Sequence, residues 1–169
     1  MPRPLRSTLP ALGCALALAV LIPSAGLGAS GPQCSSTQLR LGFLSLQGAT
    51  GHRFWDFAFK NVGAKCTLRG FPEVMLLDRH GGVLTVTFRH QPGVSAKTVS
   101  IAHGKRAFFT VTYLDGGFCA RHYPAYRMKL FPPGGSGGFV FNPVPANHGP
   151  ISVCTGSERV YPVRATRAP

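Results

Sequence analysis

Four cysteines, Cys34, Cys66, Cys119 and Cys154, follow a short apolar leader and restrict the folds open to this chain more than any other feature. An even number of cysteines behind an export signal predicts two disulfides formed in an oxidising compartment. We therefore expect a secreted protein, either extracellular or associated with the cell wall.

The leader, residues 1–30, has the features of a secretory signal peptide. Arg3 and Arg6 precede an apolar run at residues 11–22, and helix-breaking and small residues follow that run. The run is shorter than the ~20 residues that a membrane-spanning helix needs, so we expect cleavage and no membrane span afterwards. An uncleaved N-terminal anchor remains an alternative, because extending the run through Gly28 gives nearly that length.

Residues 31–169 then form the mature chain, which has the length of a single domain. Cys14 belongs to the leader, because its apolar residues follow this cysteine, whereas in a lipoprotein signal they precede it. A chain of this size can bury roughly two thirds of its unfolded surface, which is enough for an ordinary hydrophobic core.

Glycine and proline interrupt the chain at short intervals, and the apolar runs between them favour valine, threonine, phenylalanine and tyrosine. In the segment 53–61, Trp55, Phe57 and Phe59 alternate with polar or small residues, as in a half-buried strand. We predict an all-β, immunoglobulin-like β-sandwich of about 7–9 short strands with two disulfides. The strands are predicted at residues 38–46, 53–61, 73–77, 83–88, 97–101, 106–113, 126–131, 138–141 and 159–163.

Strand directions rank the disulfide pairings that four cysteines allow. A hairpin of the first two strands brings Cys34 and Cys66 to one end. The predicted strands at residues 106–113, 126–131 and 138–141 alternate in direction. The chain therefore returns Cys154 to the same end of the domain as Cys119. These pairings are favoured, and each would stabilise the fold by about 3 to 4 kcal/mol. The alternative is an immunoglobulin-type bridge from Cys34 to Cys119 across Trp55.

A motif at residues 66–72 is the most distinctive in the chain. Its residues, with their flanks and the cysteines, are Phe59, Lys60, Asn61, Cys66, Thr67, Leu68, Gly70, Phe71, Pro72, Leu77, Asp78, Gly81, Gly82, Cys119, Phe131, Pro132, Pro133, Gly134 and Cys154. In this order they resemble the actinobacterial secreted domain of unknown function 4232, over residues 34–163. The resemblance implies an exported domain and no known activity.

No catalytic or metal-binding pattern in this sequence has the neighbouring residues that its chemistry requires. Residues 134–138 match the nucleophile-elbow spacing, but two prolines precede them where that motif requires a strand entering a helix. The histidines show no metal-binding spacing. We therefore predict a protein that is not an enzyme and has no cofactor or metal. The alternative is a secreted hydrolase whose site is assembled from distant residues such as Asp115, His122 and Ser136.

Charge is the main chemical signal. The chain carries 18 Lys and Arg against 5 Asp and Glu, a formal net charge of +13, and removing Arg3 and Arg6 leaves +11. Such a field attracts polyanions. We expect a non-enzymatic binding or structural module of the cell envelope that contacts anionic wall polymers or lipid head groups, and no nucleic-acid partner. The candidate contacts are Lys105, Arg106, Arg121, Arg127 and Lys129.

Overall fold

A computed structural model describes residues 31–143 and 150–167, so the predicted leader lies outside the described residues. The strands in these ranges are β1 (Leu39–Ala49), β2 (His52–Asn61), β3 (Cys66–Arg69), β4 (Glu73–Leu77), β5 (Arg89–His90), β6 (Thr98–Ile101), β7 (Arg106–Leu114), β8 (His122–Ala125), β9 (Arg127–Phe131), β10 (Phe139–Phe141), β11 (Ile151–Cys154) and β12 (Arg159–Val160). Two short 3₁₀ turns lie at Ser36–Gln38 and Gly116–Phe118. Within these ranges no helix is long and apolar enough to cross a membrane.

Two main sheets pack face to face. The larger sheet has the order β1-β2-β7-β12-β5, and the smaller has the order β10-β9-β4. Phe57 and Phe59 on β2 contact Phe141 and Phe139 on β10, with ring centroids 5.2 and 5.9 Å apart. These aromatic contacts between sheets form the core, so the predicted all-β sandwich with two disulfides is confirmed. The pairs β8–β11 and β3–β6 form additional two-stranded sheets.

The predicted hairpin of the first two strands is confirmed. β1 and β2 are antiparallel, and Ala49 lies opposite His52 across a two-residue turn. Thr50 and Gly51 in this turn both have positive φ, of 50° and 80°. Two successive positive φ values match the twist of paired strands and produce a tight hairpin.

Several strands differ from the prediction. Residues 83–88 form no strand, and Val83 makes only an isolated bridge to Leu77. Val86 is nevertheless buried in the core, so this segment contributes apolar contacts without extended sheet pairing. β5, with two residues, was not predicted, and neither were β3, β8 and β11. β3, β8 and β11 have only four residues each, and Pro124 within β8 removes a backbone donor, which weakens the sequence signal.

The disulfides join Cys34 to Cys66 and Cys119 to Cys154, with Cα–Cα distances of 4.9 and 5.9 Å. Both favoured pairings are confirmed, and the immunoglobulin-type alternative is wrong. The predicted course through β7, β9 and β10 does not by itself bring the second pair together, because β9 and β10 belong to the smaller sheet. Instead, β8 pairs with β11 and places Cys154 opposite His122, close in sequence to Cys119.

Candidate polyanion-binding face

The outward face of the larger sheet carries a row of cations. On β2, Phe57 and Phe59 point into the core, so the alternating Lys60 points outward. Lys60 lies directly opposite Arg40 on β1 and Arg106 on β7. Directly opposite residues share a face and have Cβ atoms about 4.5 to 5.5 Å apart. Three exposed cations therefore lie side by side across three neighbouring strands.

No carboxylate in the described ranges compensates this row. The ion pairs there involve Arg53, Arg164 and Arg167 only. The Arg40 guanidinium donates to the main-chain oxygens of Thr37 and Leu39, which carry no net charge. Like charges placed directly opposite each other destabilise a sheet, so this row lowers the stability of the domain while it raises the local positive potential.

The same face extends across the sheet to its far edge. Thr112 lies opposite Phe54 on one side and Arg159 on the other, and Arg159 lies opposite Arg89 on β5. Phe54 is on the same side of β2 as Lys60, because even-numbered positions of this strand face outward. We call the surface that carries Arg40, Lys60, Arg106, Arg159 and Arg89 the basic face.

Asp56 is the only carboxylate that the described strands place on the basic face, and it is 7% exposed. Its Oδ1 accepts a hydrogen bond from Thr110 Oγ1 at 2.7 Å, and its Oδ2 accepts one from Ser45 Oγ at 3.0 Å. Nη2 of Arg164 and Nη2 of Arg167 lie 3.9 and 3.8 Å from its oxygens. The negative charge of Asp56 is therefore compensated by partners within the fold and does not neutralise the row.

The chain after β12 continues alongside β7, because the backbone of Arg164 exchanges two hydrogen bonds of 2.9 Å with Phe108 on β7. This position brings the Arg164 guanidinium onto Thr110 Oγ1 at 2.8 Å and next to Asp56. Burial lowers the pKa of Arg164, and the Asp56 carboxylate opposes that shift. No local sequence pattern indicated this cluster, because its members come from distant segments of the chain.

The predicted polyanion contacts lie in three places. Arg106, the first residue of β7, belongs to the row on the basic face, and the exposed Lys105 directly precedes it. Arg121 is exposed just before β8. Arg127 and Lys129 lie on β9 of the smaller sheet, on the side opposite to the buried residues of that strand.

The two cations on β9 already have partners in the fold. Arg127 donates to the Arg79 main-chain oxygen at 3.2 Å, and Lys129 Nζ lies 5.2 Å from the centroid of the Phe131 ring. The structure thus places Arg106 in one row with Arg40 and Lys60, which were not among the predicted contacts. The sequence signal for Arg40 and Lys60 was incomplete, because they lie opposite each other only through the register shift between Phe43 and Ser45.

Among the described residues, no side-chain hydrogen bond joins Asp115, His122 and Ser136, the residues of the alternative hydrolase site. Asp115 accepts a 2.9 Å hydrogen bond from Arg53 Nε. Ser136 lies in the loop between β9 and β10, and no hydrogen bond links it to Asp115 or His122 in the part of the chain that the structure describes. In the same part, no group of three or more His, Cys, Asp or Glu side chains is placed to hold a metal ion.

The fold and its two bridges define a disulfide-linked β-sandwich domain with one strongly basic sheet face. A family model described as a domain of unknown function (DUF4232) matches residues 34–164, and the chain belongs to this family. Comparisons with curated proteins and with solved structures give no match.

Proposed function

We propose that the protein is a non-enzymatic module of the cell envelope that binds an anionic polymer through the basic face. The observation that carries this proposal is the uncompensated row of Arg40, Lys60 and Arg106. A polymer with repeated negative charges relieves the repulsion within this row. The candidate ligands are anionic wall polymers, and anionic lipid head groups are the alternative source of the same charge.

A polymer suits this surface better than a single small anion. Exposed ion pairs contribute only about 0 to 1 kcal/mol each, so useful affinity requires several contacts at once. Neighbouring strands are about 4.8 Å apart, so the row spans about 10 Å across the sheet. Arg159 and Arg89 extend the basic face toward the opposite edge, where further charges of a long ligand can bind.

The proposal includes export, and an extracellular or wall-associated location in an actinobacterium. The two disulfides support it, because such bonds persist in oxidising compartments. The leader composition at residues 1–30 and the family resemblance also support it. Mass spectrometry of the exported protein tests cleavage: a start near residue 31 is expected, whereas a cell-bound chain that retains the leader would support the anchor alternative.

Matched charge-removal variants test the basic face. In the first variant Arg40, Lys60 and Arg106 are all replaced by serine. In the control variant Arg121, Arg127 and Lys129 are replaced by serine, so that the net charge falls by the same amount. Binding of each purified protein to isolated cell walls and to anionic vesicles is measured from low to high salt.

The first variant should lose about 10- to 100-fold in affinity for cell walls at low salt, which corresponds to three contacts of about 0.5 to 1 kcal/mol. The control variant should lose less than about threefold, and high salt should remove the difference because it screens exposed charges. Equal losses in the two variants would contradict a dedicated face. Binding to vesicles but not to walls would identify lipid head groups as the source of charge.

A further inference from the structure

The sandwich is open along one side, between β1 and β10. These are terminal strands of the two main sheets in the described ranges. Phe43 and Leu46 on β1 lie opposite Phe57 and Trp55 on β2, so they belong to the inward face. They are nevertheless 44% and 47% exposed. The aromatic layer of the core therefore reaches solvent at this side.

A groove of about 900 Å³ occupies this opening. Its walls include Phe43, Leu46, Trp55, Phe141 and Ile151. The volume lies within the range of about 300 to 1,000 Å³ that is typical of small-molecule sites, and such sites combine apolar walls with a few fixed polar groups. The apolar walls suit an aliphatic chain that enters between the two sheets.

Arg53, Tyr113 and Asp115 supply the polar groups of the groove. Arg53 Nε donates to Asp115 Oδ2 at 2.9 Å, which orients a guanidinium that is 43% exposed. No hydrogen bond of the described residues uses the Nη atoms of Arg53, so they can donate to a bound anion. Arginine presents such donors as a planar fork that fits a carboxylate.

Two aromatic residues complete the polar part of the groove, which contains Arg53 and Asp115. Trp55 is 3% exposed, and its Nε1 has no hydrogen-bond acceptor of suitable geometry in the described residues. Burial raises the pKa of Tyr113 to about 12, and the nearby Trp55 indole opposes this shift without completing a hydrogen bond. Tyr113 therefore remains a neutral hydroxyl donor at physiological pH.

We propose that this groove binds one molecule of a long-chain carboxylate, with its aliphatic chain between the sheets and its carboxylate at Arg53. The strongly positive chain attracts anions and repels a second copy of itself. A register shift between Phe43 and Ser45 interrupts β1, which disfavours continuous pairing with another strand. The groove opens on the inward face of the larger sheet, so this site is independent of the basic face.

The chain contains one tryptophan, and this residue lines the groove. Its fluorescence therefore reports directly on occupancy. The purified, oxidised protein is titrated with dibromostearate below the concentration at which it forms micelles, because bromine atoms quench a tryptophan that they contact. We expect saturable quenching with one ligand per chain. The absence of saturable quenching, or quenching only by vesicles that contain the brominated lipid, would overturn the proposal.

Substitutions separate the two parts of the site. Leu46→Glu places a charge in the apolar wall and should weaken binding at least tenfold. Val140→Glu is the matched control, because Val140 is exposed on β10 and does not line the groove, and it should change affinity less than twofold. Equal weakening by both substitutions would contradict the location.

Arg53→Gln tests the contact with the carboxylate. This substitution should weaken binding of dibromostearate about fivefold to tenfold. It should leave nearly unchanged the binding of the corresponding dibromo alcohol, which has the same chain and no carboxylate. An equal effect on both ligands would refute the role of Arg53. Circular dichroism spectra and urea unfolding curves of each variant establish that these effects occur in folded protein.

Discussion

Lys60→Glu should stabilise the domain while it weakens polyanion binding. Lys60 lies between Arg40 and Arg106, with a like charge directly opposite on each side. Each such pair destabilises a sheet by about 0.2 to 1 kcal/mol, and an opposite-charge pair stabilises it by a similar amount. Since all three side chains are exposed, the lower part of these ranges applies, and we expect a gain of about 1 kcal/mol at low salt.

Urea unfolding followed by tryptophan fluorescence measures this gain, because urea does not screen charges. The control is Lys65→Glu, which changes the net charge equally at an exposed loop position. Lys65→Glu should change the free energy of unfolding by less than about 0.5 kcal/mol. At 0.5 M salt the gain of Lys60→Glu should shrink, because the screening length is then well below 8 Å. A Lys60→Glu protein that is no more stable than wild type at low salt would refute the reasoning.

Three further predictions concern the fold. Asp56→Ala should cost about 2 to 3 kcal/mol in urea unfolding, because it removes two charge-assisted hydrogen bonds, and a cost below 0.5 kcal/mol would contradict this role. Replacing Cys34 and Cys66 by alanine should cost about 3.5 kcal/mol, since the bridge spans a sequence separation of 32; an unchanged urea midpoint would argue against it. Because the folded state keeps the Tyr113 proton up to about pH 12 and the unfolded state loses it near pH 10, stability should fall between these values. In Tyr113→Phe this decline should be shallower by up to about 1.4 kcal/mol per pH unit, and coincident pH profiles of the two proteins would contradict the assignment.

Local patterns were enough to predict the first hairpin and the orientation of β2. Alternation with a period of two assigned Trp55, Phe57 and Phe59 to the core, and all three are buried. Glu73–Leu77 also forms a strand with the predicted bounds. These elements depend on residues that are close in sequence, where strand period and turn chemistry dominate.

The other strands and the strand order could not be predicted, because they depend on pairing between distant parts of the chain. β3 and β11 each have four residues and are stabilised by pairing with strands far away in sequence. The row on the basic face illustrates the same limit. Arg40 lies opposite Lys60 only because of the register shift between Phe43 and Ser45, since the register at the turn would place Arg40 opposite Asn61. Arg106 joins them only because β2 also pairs with β7. Strand order is a tertiary property, and hydrophobic alternation does not encode it directly.

Most carboxylates of the described residues bind partners within the fold, and for this reason the positive charge on the surface is not neutralised. Asp56 is held by hydroxyls and arginines, and Asp115 is held by an arginine. Asp78 accepts hydrogen bonds from backbone amides of its own turn, which lower its pKa, and Glu158 accepts one from the Gly156 amide. The row on the basic face therefore has no acidic partner within the described fold, and its positive charge can act on anions outside the molecule.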